Sequence, residues 1–148
     1  REGAAVVVLF MVSWELLTTR GQPMNATQLL DNLVFHDKDP NAEPLFVAPD
    51  GRILRFTLRP GQAVREHNAP HSPVYIVVLK GQGLFAGADG KEQRFGPHSL
   101  LTFAAGENHS VRADGEELVF VTFLHEAPGV GQFPSRTAEE HKEGHRKA

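Results

Sequence analysis

From Leu45 to Leu124 the chain runs as short apolar or β-branched segments separated by glycine-rich turns, with no helix-period stretch between them. Leu45–Ala48 and Ile53–Leu58 flank Pro49-Asp50-Gly51, a hairpin-turn composition. Val74–Leu79 is closed by Gly81 and Gly83, and Leu84–Ala86 and Gln93–Phe95 flank Ala88-Asp89-Gly90. Leu100–Phe103, His109–Arg112 and Leu118–Leu124 complete the series, the last two separated by Asp114-Gly115. Parallel strands need long crossovers, usually helical, so this spacing predicts an all-β antiparallel β-barrel or jelly roll. A chain of 148 residues with 41% hydrophobic content has material for one such core.

The ends read differently. Ala4 to Leu17 is almost continuously apolar; as a helix it would span about 21 Å, short of a hydrocarbon core of roughly 30 Å. No membrane partner is expected from it, and Met24 offers an alternative start that would make residues 1–23 an upstream extension. Residues 24–44 form a lead-in: Asn25 and Gln28 have capping-box spacing and predict a short helix carrying Leu29, Leu30 and Leu33, and Asp37–Pro44 reads as a loop. The barrel is expected over residues 45–126. Residues 127–148 turn to proline, glycine and charge and read as a flexible polar tail; His141 and His145 share a helix spacing there but have no third ligand nearby.

Absent cysteine removes disulfides, thiolate nucleophiles and cysteine-ligated metals. A net charge of −3 without a basic stripe argues against a nucleic-acid partner. Histidine is the chemically informative residue, with eight in the chain. Three fall within the strand-rich region: His67, His71 in the proline-bounded run His67-Asn68-Ala69-Pro70-His71-Ser72-Pro73, and His109 after Gly106-Glu107-Asn108. Residues four apart on a straight strand lie about 13 Å apart, so His67 and His71 converge on one ion only where the backbone bends, as Pro70 and Pro73 permit. His98 reads as a structural residue at a strand start. Among the phenylalanines, Phe56, Phe85 and Phe103 are expected to wall a pocket with Tyr75 as a polar tip, and His125 to reach its mouth.

These motifs resemble the cupin superfamily. Gly61, five residues, His67 and then Gly81 keep the frame of its first motif, and Gly106-Glu107-Asn108-His109 fits the second half of its second, with Ala104 where a proline is usual. The resemblance covers about Leu45 to Glu126. It implies a homodimer, with His67 at the first ligand place and His109 at the last; Ala69 and Val74 stand where the second histidine and the glutamate belong, and a cytoplasmic location is expected separately. His71 is the residue that would replace the lost histidine. A site of His67, His71 and His109 suits zinc, nickel, iron or copper and leaves positions for a small-molecule substrate. Such a chain would be a metal-dependent oxygenase, isomerase or lyase. The alternative is a metal-free barrel in which His67 and His109 hydrogen-bond a small molecule without catalysis.

Overall fold

The computed structural model describes residues 24–126, which form nine strands: β1 (Asn41–Ala48), β2 (Gly51–Leu58), β3 (Ala63–His67), β4 (Val74–Lys80), β5 (Gly83–Ala86), β6 (Gln93–Phe95), β7 (Leu100–Phe103), β8 (His109–Ala113) and β9 (Leu118–Leu124). All pairings are antiparallel, in a five-stranded sheet of order β1-β2-β9-β4-β7 and a four-stranded sheet of order β3-β8-β5-β6. This is the expected all-β jelly roll. The apolar run at 4–17 and the polar tail lie outside the described residues. Among the described residues no helix is long and apolar enough to cross a membrane.

Alternation decides which residues meet between the sheets. Leu54, Phe56 and Leu58 on β2, Val74, Ile76 and Val78 on β4, and Leu118, Phe120 and Leu124 on β9 are buried and join Phe85 and Val111 of the other sheet in one core. Phe120 sits at its centre, stacked on Phe56 at 4.9 Å and edge-on to Phe85 at 6.0 Å. The strand β9 is buried on both faces, which explains its unbroken run of apolar residues.

Two local expectations are corrected. The stretch after Met24 forms no helix: Gln28–Asp31 closes a single turn and Asn32 takes a positive φ of 53°. Its carbonyls are claimed by the outer face of the sheet instead. The Arg55 guanidinium donates to the carbonyls of Leu29 and Asp31 at 3.1 Å each and to Glu43 at 2.6 Å, and the Thr57 hydroxyl donates to the Val34 carbonyl. A helix would have consumed some of those acceptors internally, so the strap is held extended. Replacing Arg55 by methionine is expected to cost about 2 kcal/mol, because its charged hydrogen bonds to the strap and to Glu43 are lost. Limited proteolysis should then cut within 24–36 at lower protease concentration.

The second correction is the start of the barrel. Asn41–Pro44, expected as loop, belongs to β1. Pro44 is tolerated because β1 is an edge strand and its register shifts between Pro44 and Phe46, so the missing N–H leaves no partner unsatisfied across a ladder.

Candidate functional site

Between the two sheets, toward one end, lies a cavity of about 340 Å³. Its walls are apolar for most of their extent, from Leu54 and Phe56 through Val74 and Ile76 to Phe120, Leu124 and, on the other sheet, Val111. His67 and His109 line it from that second sheet, and Asp39, Pro40, Arg65 and Glu66 border it.

The two histidines come together as neighbours on adjacent strands, not across the barrel as facing walls. They are direct partners in the β3–β8 ladder, with ring centroids 4.4 Å apart and the rings inclined at 62°. A β-bulge makes this possible. Val64 pairs with Val111 and His67 with His109, so β3 spends three residues where β8 spends two. In a regular strand the residue sharing the inward face of Val64 would be Glu66; the extra residue re-aims His67 to the cavity side. The loops carrying the pair are clamped together by Asn68 Nδ2 donating to Asn108 Oδ1 at 2.7 Å and by the Gly106 N–H donating to the Ala69 carbonyl at 2.8 Å.

Both rings are oriented in the same way. His67 Nδ1 lies 2.7 Å from the Arg65 carbonyl and His109 Nδ1 lies 3.0 Å from the Glu107 carbonyl. A carbonyl oxygen only accepts, so each Nδ1 carries a proton and donates it, and in its neutral form each ring presents the lone pair of Nε2. His109 is 3% exposed, and Phe103 stacks behind it at 4.7 Å and 24°. Burial pushes the His109 imidazole below its ordinary value of 6.5, the nearby His67 adds to this, and the Glu107 carbonyl opposes it.

That shift has a sign. Above pH 6.5 the ring is neutral both folded and unfolded, and its contribution to stability is complete. As pH falls, the unfolded chain takes up the proton first, so stability is lost on the way down through the lower folded value. The melting temperature measured from about pH 8 to about pH 5 is expected to fall, and to fall less steeply in His109→Gln.

The remaining predicted residues lie elsewhere, with Phe56 the exception on the cavity wall. His71 is exposed and does not join the pair: its own N–H is tied to Glu126 Oε1 at 2.9 Å, and the next residue, Ser72, is the one turned inward, accepting from the His125 N–H at 2.8 Å. Among the described residues no three histidine, cysteine or acidic side chains are grouped as a metal would need. Tyr75 and His125 meet edge-on at 5.6 Å outside the cavity, because Val74, Ile76 and Leu124 hold the inward phase of β4 and β9. Phe85 packs under Phe120 and Phe95 in the core, and Phe103 supports His109 without lining the cavity. His98, with φ of 71°, occupies the turn between β6 and β7, its N–H donating to the Val78 carbonyl, as suits a structural residue.

Sequence reasoning missed Thr122, which lines the cavity on β9, and the contribution of Asp39 and Pro40 from the lead-in. A polar residue in the inward phase of the run Leu118–Leu124 was the available signal for the first.

Comparison with known proteins agrees with this architecture. Residues 54–125 match the family model described as a cupin domain. A double-stranded β-helix protein from Klebsiella pneumoniae superposes with a TM-score of 0.66 at 18% identity, covering 74% of this chain and 95% of that one. An RmlC-like cupin from Desulfovibrio desulfuricans gives 0.64 at 27% identity over 70% and 99%. A putative mannose-6-phosphate isomerase from Ralstonia eutropha gives 0.60 at 22% over 71% and 100%. No curated protein matches the chain.

Proposed function

We propose that this barrel, whose residues 54–125 match the cupin-domain family model, binds a small, largely apolar molecule whose hydrogen-bond donors are accepted by Nε2 of His67 and Nε2 of His109. The single observation that carries the reading is the matched pair of Nδ1–carbonyl bonds, which leaves two adjacent acceptor nitrogens on a mostly apolar cavity. A cavity of about 340 Å³ is at the small end for ligand sites, which favours a ligand near the size of a monocyclic aromatic. Hydroxyl donors suit the pair at neutral pH, because a neutral imidazole nitrogen accepts and burial keeps His109 neutral.

The donor set does not fit a tightly held transition metal. Two imidazoles are one ligand short of an open catalytic site, and His71 is exposed outside the cavity. Nor does a carboxylate orient either ring among the hydrogen bonds of the described residues, so neither imidazole has the partner of a strong general base. Binding, rather than turnover, is the activity these residues support.

Phenol serves as the probe, with toluene as its apolar counterpart. Calorimetry on untagged protein is expected to give phenol binding that survives chelator and weakens about tenfold in whichever of His67→Ala and His109→Ala removes the nitrogen that accepts its single O–H, the loss of one buried hydrogen bond. Toluene affinity should change far less in these variants. Stoichiometric zinc, nickel, iron or copper that disappears in His109→Ala, together with phenol binding abolished by chelator, would overturn the ion-independent reading in favour of a metal-centred one.

A further inference from the structure

The wall opposite the imidazole pair is apolar except at one place. Thr122 is 7% exposed and lies in the middle of the five-stranded sheet, in register with Leu54 on one side and Ile76 on the other. Along its own strand the residues of the same face are Phe120 and Leu124. All four of these neighbours line the cavity, as Thr122 does itself. No hydrogen bond is made by its hydroxyl among the described residues, in contrast to the buried Thr57, whose hydroxyl donates to Val34, and the buried Ser72, whose hydroxyl donates to Pro73.

Packing does not require a hydroxyl here. Valine has the same shape and at least as strong a preference for a central strand, and it carries no polar atom into an apolar wall. A hydroxyl with no protein partner on such a wall faces the cavity, where a bound molecule can bring a donor or acceptor to it.

We propose that Thr122 is a second polar anchor of the cavity, so that the natural ligand is bifunctional: an apolar body with one hydrogen-bonding group at the imidazole pair and another at the Thr122 hydroxyl. The chemical class is a small hydroxylated or hydroxymethylated ring, or an apolar chain of equal size with polar groups at two positions. The inference rests on the reading of the cavity as a ligand site and adds to it the identity of the opposite contact.

The test compares phenol with two probes that carry a second hydroxyl at different spans, resorcinol and 4-hydroxybenzyl alcohol, by calorimetry on the full chain. At least one of the two is expected to bind about five- to tenfold tighter than phenol, the gain from one further net hydrogen bond. Thr122→Val should abolish that gain, leave phenol affinity within about twofold, and hold or raise the melting temperature. Thr122→Ser, which keeps the hydroxyl, should retain the gain. A gain that persists in Thr122→Val, no gain for either probe, or a melting temperature that drops by several degrees in Thr122→Val would each overturn the proposal, the last because it would assign the hydroxyl a structural partner. Failure of phenol itself to bind, or phenol binding indifferent to both His67→Ala and His109→Ala, would overturn the underlying cavity reading instead.

Discussion

Phe120→Ala is expected to lower the unfolding free energy by about 3–5 kcal/mol, the range for deleting a buried aromatic side chain when the surroundings relax only partly. Phe120 is 2% exposed and touches three structural units at once: it stacks on Phe56, meets Phe85 edge-on across the inter-sheet space, and forms part of the cavity wall. Its removal merges the space it vacates with the existing cavity, so ligand shape selectivity should broaden along with the loss of stability. Urea denaturation measures the first effect, and the affinity of a bulkier aromatic such as naphthol relative to phenol measures the second. Phe120→Leu, which keeps most of the volume, should fall between alanine and the parent in both.

Gly81→Ala is expected to be comparably severe, at about 3 kcal/mol or more, for a reason unconnected with apolar burial. Gly81 takes φ of 80° at the turn after β4, and a Cβ there would overlap the backbone oxygen of Glu117. The left-handed conformation alone costs an ordinary residue roughly 1–2 kcal/mol; the clash adds to it, because a backbone carbonyl beside the β9 ladder cannot swing aside as a side chain can. Gly115 is the control. It has φ of 77°, and a methyl group added to it would meet nothing within 4 Å, so Gly115→Ala should show the conformational cost alone. Chemical denaturation of the two variants side by side separates strain from steric exclusion.

The parts of this fold legible in the sequence are those where one residue class dominates an uninterrupted segment. The strands β2, β4 and β9 announce themselves by β-branched and aromatic runs, and their turns by glycine next to aspartate or proline. What escaped were the strands whose composition is polar or interrupted. Ala63–His67 has the pattern of an exposed edge, and Pro44 masks the first half of β1 although an edge strand accommodates it. The strap at 24–36 escaped because capping spacing is a local signal, and the long-range claim of Arg55 on its carbonyls outweighs it.

The site was legible to a similar depth. His67 and His109 stand out by their frame in the sequence, but their side-by-side relation depends on a bulge that no count along one strand reveals. For Tyr75 and His125, period-two alternation was the right tool and the wrong face was chosen. Aromatic character suggested a pocket wall, whereas Val74, Ile76 and Leu124 own the inward phase. His71 failed for a topological reason, since the loop that carries it is stitched to the end of β9 through Ser72 and Glu126.

The proposed binding site comes down to two nitrogen atoms, and nitrogen-15 NMR reads them directly. In long-range proton–nitrogen spectra at a pH where the imidazoles are neutral, His67 and His109 are expected to carry the ring proton at Nδ1, with Nε2 unprotonated. Addition of phenol should shift the Nε2 resonances of these two residues and leave those of His71 and His125 in place. Rings protonated at Nε2, or phenol-induced shifts confined to other histidines, would refute the paired-acceptor site.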